Sequence, residues 1–203
     1  MQYFSVFFSE GLKFFFLLTP FFVLSMFLSM TRDETDADRR KLAVRIAFAA
    51  FIVCTVLFFF GNYLFRAFDI TLDAFRIGGG ALLFLSAVTL VNGAAETAKI
   101  HRNEEDSDIA VVPLAIPVTV GPATTGALLI MGAEAHSSTA LQLTKFASLC
   151  AALFLLGVIL YAGIFIERII KRRGIVILSK LTGLILSALA AQMIFTGIRN
   201  FLK

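Results

Sequence analysis

The sequence predicts an all-α membrane protein: six transmembrane helices forming two inverted three-helix repeats, with the first and fourth helices broken at Pro or Gly. Three observations predict it. The first is composition. Of 203 residues, 59% are hydrophobic and 16% charged, and the mean hydropathy is +0.89. A typical soluble domain is about 45–50% apolar and about 25% charged. A globule of this size cannot hide so much apolar surface, so bilayer takes the place of water. The second observation is distribution. The apolar residues fall in six blocks, Phe14–Met30, Leu42–Phe65, Ala74–Val91, Ile109–Met131, Leu143–Ile166 and Ile175–Phe201, each near the roughly 20 residues a spanning helix needs. The third is a weak echo between the halves. Three spans per half is an odd number, so the second half enters the membrane from the opposite side. Any repeat is therefore inverted, a recurring design of secondary transporters.

The first block follows no basic leader and precedes no small-x-small cleavage pattern, so it reads as an uncleaved span. Pro20 lies inside it. Pro117 holds the matching place in the fourth block. The second block follows Arg39-Arg40-Lys41, and its end, with Gly61, resembles in outline the end of the fifth block, with Gly163. The third block opens on Arg76-Ile77-Gly78-Gly79-Gly80 and the sixth on Lys180-Leu181-Thr182-Gly183. Gly78, Gly79, Gly80 and Gly183 are candidates for close helix packing and for the motion of one half against the other. Arg76 lies near its span's outer end and is expected to snorkel to the interface, with Asp73 in reach. Glu10 and Lys13 stand at the entrance of span one, and Glu134 beyond span four. No span then carries a charge near its centre. Cys54 and Cys150 read as apolar filler without metal spacing.

The chain reads as one polytopic domain over 1–203: a first repeat at 1–92, a polar linker at 93–108 and a second repeat at 109–203. The bases set its orientation. Lys13, Arg66, Arg76, Lys145, Arg199 and Lys203 fall with the termini, and the other twelve of the 18 Lys and Arg fall on the opposite side. The side richer in bases is cytoplasmic, which puts both termini outside. Basic residues sorted by loop in this way argue against nucleic-acid binding.

The stretch Pro117-Val118-Thr119-Val120-Gly121-Pro122-Ala123-Thr124-Thr125-Gly126 is a poor continuous helix, because Pro removes a donor and clashes with the preceding turn. Broken helix ends persist in a membrane only beside protein, water or a ligand. The N-terminal end of a half-helix suits a carboxylate and the C-terminal end a cation. Two broken helices thus offer both poles of a zwitterion. The candidate substrate-binding residues are Thr19, Pro20, Ser25, Pro117, Thr119, Gly121, Pro122, Thr124, Thr125 and Gln192. With no deep charge, this path of hydroxyls, small residues and backbone favours a small net-neutral solute. No phosphate-binding loop, HExxH or GxSxG is present, so the chain does not read as an enzyme.

Pro113-Leu114-Ala115-Ile116-Pro117 with Gly121-Pro122, Phe75-Arg76-Ile77-Gly78-Gly79-Gly80, and Gly183-Leu184 with Gln192-Met193-Ile194 and Gly197-Ile198 together resemble the motifs of the fourth, third and sixth helices of the MarC family of bacterial inner-membrane proteins. In span one the family often carries Pro-Leu-x-x-Pro, whereas Leu17-Leu18-Thr19-Pro20 stands here. The resemblance implies a transporter of small neutral amino acids such as glycine and alanine. The expectation is a secondary transporter working by alternating access in the inner membrane. It needs no cofactor and no metal site, and coupling to a proton or a sodium ion is left open. A homo-oligomer is left open. A channel or exporter for another small solute, or a membrane scaffold or sensor without transport, are the alternatives.

Overall fold

A computed structural model describes residues 2–31, 34–92, 120–135 and 138–202. The described residues form helices joined by short turns: α1 (Gln2–Leu17), α2 (Pro20–Met30), α3 (Asp36–Ala67), α4 (Leu72–Asn92), α5 (Pro122–Ala135), α6 (Thr139–Tyr161) and α7 (Gly163–Phe201). Five stretches are long and apolar enough to cross a membrane: Phe4–Met30, Asp36–Gly61, Leu72–Asn92, Thr139–Tyr161 and Gly163–Phe201. Their outward faces carry Phe4, Phe154 and Phe195, each more than 70% exposed. Rings placed that way face lipid, since water would drive them together.

The expected fourth span, Ile109–Met131, is described only from Val120 onward. The linker at 93–108, with Pro117 and Thr119, lies outside the described residues. What is described is α5, at 14 residues about 21 Å long and too short to cross alone. It is nevertheless the centre of the core. Ala123, Ala127, Leu128, Leu129 and Ile130 are all buried, because α3, α4 and α6 pack around the helix.

Two boundaries differ from the sequence expectation. Glu134 does not lie beyond the fourth span but in the last turn of α5. The fifth block is broken at Ala162, where α6 ends and α7 begins, and the expected gap before Ile175 appears as the non-helical Lys171 (φ 59°, ψ 160°), across which α7 runs as two helices joined at a kink. Charged residues there read as a loop, yet Glu167 and Arg168 lie within the helix. At that end of the bundle Arg172 donates to Ser29 Oγ at 3.3 Å, and the Arg40 guanidinium lies 5.3 Å from the Tyr161 ring centre.

Helix pairing is close where glycine allows it. A Cβ on Gly61 would meet the Leu129 backbone and one on Gly132 the Phe58 carbonyl, which locks α3 against α5. In the α4–α7 pair, a Cβ on Gly80 would stand 3.1 Å from the Ala190 carbonyl, and one on Gly183 2.9 Å from the Ala87 carbonyl. Gly79 meets Gly126 of α5, whereas Gly78 has nothing within 4 Å. Gly78 is therefore no packing glycine; it borders a groove described below. The remaining core is apolar, with Phe14 and Phe58 edge to face at 6.3 Å.

Candidate functional site

The first span is divided at Thr19. Helix α1 stops at Leu17 and α2 starts on Pro20, which suits a helix's first turn because its missing N–H has no intrahelical partner to lose. Thr19 between them is left-handed (φ 47°, ψ 53°), uncommon for a β-branched residue and costing about 1–3 kcal/mol. Its carbonyl accepts from the N–H groups of Phe22 and Val23, both at 3.0 Å, which starts α2. The Leu17 carbonyl at the end of α1 accepts from the buried Thr124 hydroxyl at 3.3 Å. Thr124 belongs to the first turn of α5, so the end of one helix is joined to the start of another from the opposite half of the chain.

Above this junction lies a cavity of about 250 Å3 whose walls include Leu17, Leu83, Ala127, Gln192 and Thr196. Its remaining polar walls are Glu10, Lys13, Arg76 and Glu134. The expectation of an uncharged path is corrected here. These side chains sit near helix ends in sequence, but the ends converge, so their charges face one another across a shared space. Arg76 is held by Asp73, one turn before it, and its Nη2 donates to Glu134 Oε1 at 2.6 Å. The Lys145 ammonium, itself buried, donates to Glu134 Oε2 at 3.4 Å. Lys13 donates to Glu10 at 3.0 Å, and the Asn200 amide reaches Asp73 at 3.3 Å. Arg76 does not snorkel: its side chain is only 14% exposed. Desolvated charges endure when paired with alternating sign, as these are.

The other candidates are placed as follows. Gln192 lines the cavity with Thr196. Gly121 and Thr125 instead border a wider apolar groove of about 850 Å3 with Gly78, Gly79 and Phe75. Pro20 is buried at the start of α2, and Ser25 is half-buried within it. Pro122 opens α5. Pro117 and Thr119 fall outside the described residues. Sequence reasoning noticed Arg76 and Asp73 as neighbours but missed Glu10, Lys13, Glu134 and Lys145 as members of one site. The available signal was that three acids and three bases stand within about three turns of span ends assigned to the same side. Among the described residues, no group of His, Cys, Asp and Glu has the arrangement to hold a metal.

Comparison with known proteins gives the chain its relatives. A UPF0056 membrane protein of Methanocaldococcus jannaschii is 37% identical over 100% of this chain and 98% of its own length. One of Aquifex aeolicus is 30% identical over 100% and 97%. The UPF0056 membrane protein YhcE of Escherichia coli is 29% identical over 97% and 94%. No solved structure matches the chain significantly. The family described as MarC family integral membrane protein matches residues 4–202. With apolar helices long enough to cross a bilayer and kinship along its whole length, this chain is a multi-pass integral membrane protein and belongs to the MarC family.

Proposed function

We propose that the protein is a secondary transporter of small neutral amino acids, of the glycine and alanine class, working by alternating access in a bacterial inner membrane with both termini outside. The observation that carries the reading is the cavity between the Thr19 break and the ion pairs. At about 250 Å3 it lies below the roughly 300–1,000 Å3 of pockets for drug-sized ligands. Its lining charges, Glu10 and Glu134 against Lys13 and Arg76, balance, which suits a solute that carries both signs and no net charge. Leu17, at the end of α1 beside the break, lines the cavity, and Ala127, Ile130 and Met131 bring the middle of α5 to its wall.

The pairing of helices supports an inverted repeat as the moving frame. In span one α1 packs on α6 and α2 mainly on α7, while α5, the described part of span four, packs on α3 and α4. Spans three and six pair with each other. There Gly183 stands to Gly80 as Ala190 stands to Ala87, at one constant spacing along the chain, and each glycine faces the other helix's alanine carbonyl. A two-fold axis in the membrane plane generates such reciprocity. In this reading Pro117–Pro122 breaks span four as Pro20 breaks span one, and the cycle needs no cofactor, with a proton or sodium gradient as the candidate driving force.

The test is uptake of labelled glycine and alanine into proteoliposomes holding the purified protein, with sodium or proton gradients imposed in either direction. Saturable flux well above protein-free liposomes is expected. Its absence under every gradient removes the transporter reading.

A further inference from the structure

We infer that the Arg76–Glu134 ion pair is itself the recognition element for a zwitterion, which binds by inserting between the two side chains. This rests on the amino-acid reading above and assigns the groups that would read the substrate's charges.

Four side chains from three helices form one chain of alternating sign. Asp73 and Arg76 come from α4, Glu134 from α5 and Lys145 from α6. Each member of the central pair has its own outer anchor. Asp73 holds Arg76 through Nη1, and Lys145 holds Glu134 through Oε2, while the link between them runs through Nη2 and Oε1. Opening that link leaves both side chains in place, because the anchors use other atoms. The link also borders the cavity, whose walls include both Arg76 and Glu134, so a small solute entering there meets it directly.

An α-amino acid carries a carboxylate and an ammonium on adjacent atoms. Placed with its carboxylate at Arg76 Nη2 and its ammonium at Glu134 Oε1, it continues the alternation: Asp73, Arg76, carboxylate, ammonium, Glu134, Lys145. One ion pair is exchanged for two, and no charge is left without an opposite neighbour. A plain amine satisfies Glu134 but leaves Arg76 with Asp73 alone and its Nη2 unanswered. A plain carboxylate does the reverse. Arg76 is 14% exposed and Glu134 33%, so a charge left with half its pairing is penalised there, more at Arg76 than at Glu134. The empty site closes on itself through the same pair, so no buried charge is stranded between binding events. Gln192 and Thr196 lie along the same cavity and supply neutral polar contacts.

The test is binding to purified protein in detergent, measured with labelled alanine by equilibrium dialysis and independent of any flux. Competitors are alanine, alanine methyl ester, which keeps the ammonium, and N-acetylalanine, which keeps the carboxylate. Both masked compounds should compete at least about tenfold more weakly than alanine, as a site built around a polar group rejects an analogue lacking it. Arg76→Gln should weaken alanine at least about tenfold and leave the methyl ester unchanged. Glu134→Gln should weaken alanine likewise and leave N-acetylalanine unchanged. Arg76→Lys and Glu134→Asp keep the alternation and should keep the discrimination. They also serve if a Gln variant fails to fold. The inference is overturned if alanine does not bind the unaltered protein. It is also overturned if either masked compound competes as well as alanine, or if the Gln variants bind alanine within twofold. Loss of the discrimination in both charge-keeping variants overturns it too. Binding with this profile but no flux in liposomes sinks only the transporter reading.

Discussion

The hydrogen bond from Thr124 to the Leu17 carbonyl is small in energy and large in consequence. A carbonyl freed by a helix break has no water to turn to in a bilayer, and leaving it bare costs about 1–3 kcal/mol. Thr124 is buried, so its hydroxyl is also satisfied only by this bond. Thr124→Val keeps the shape and removes the donor. It is expected to lower stability by about 1 kcal/mol, read as an earlier thermal transition in detergent, while Thr124→Ser stays near the unaltered protein. Equal transitions for Val and Ser would mean that the Leu17 carbonyl finds another partner once Thr124 is gone. Thr19 adds to the same economy of the break, since its left-handed backbone is held only because α1 and α2 are each packed in the core. Pro20 and Thr19 could be recognised in sequence as a helix interruption, because proline's missing donor is a local property. Their partner Thr124 could be suspected but not assigned, because nothing local says which carbonyl a hydroxyl more than a hundred residues away will meet.

At the level of helices, packing is decided by which glycines face a backbone. Gly80 and Gly183 each face a carbonyl of the opposite helix, and Gly78 faces open space. Alanine at Gly80 or Gly183 must push α4 and α7 apart, and overpacking of that kind costs typically about 1–3 kcal/mol. Alanine at Gly78 meets nothing and recovers helix propensity, about 1 kcal/mol. The three variants should therefore split in a thermal unfolding series: Gly80→Ala and Gly183→Ala unfold earlier, and Gly78→Ala unfolds no earlier than the unaltered protein. Uniform destabilisation across Gly78 and Gly80 would contradict the register of α4 described here. The run of three glycines was visible as a packing signal, but its phase was not. A helix turns about 100° per residue, so neighbouring glycines face different surroundings. The ion-paired cavity was hidden for a related reason. Hydropathy locates spans by their apolar middles, whereas Arg76, Glu134 and Lys145 lie towards helix ends and become a site only when the helix ends of α4, α5 and α6 meet.

Across the whole molecule, charge is divided between two ends with different chemistry. At one end Arg40 lies over the Tyr161 ring and Arg172 donates to Ser29 Oγ, with Lys41 paired to Asp38. At the other, acids and bases are paired around the cavity. Lys and Arg in excess are what a cytoplasmic face retains during insertion and what anionic headgroups attract. By sequence, twelve of the 18 bases fall with the first end and six with the other, the asymmetry from which the orientation is read. This predicts that alkaline phosphatase fused after Lys203 is exported and active, and that green fluorescent protein at the same point is dark. The paired cavity would then open toward the exterior, where a scavenging transporter first meets its solute. A dark phosphatase fusion with a bright fluorescent one reverses the molecule. In that case the ion-paired cavity faces the cytoplasm, and the same recognition chemistry would load the substrate for export.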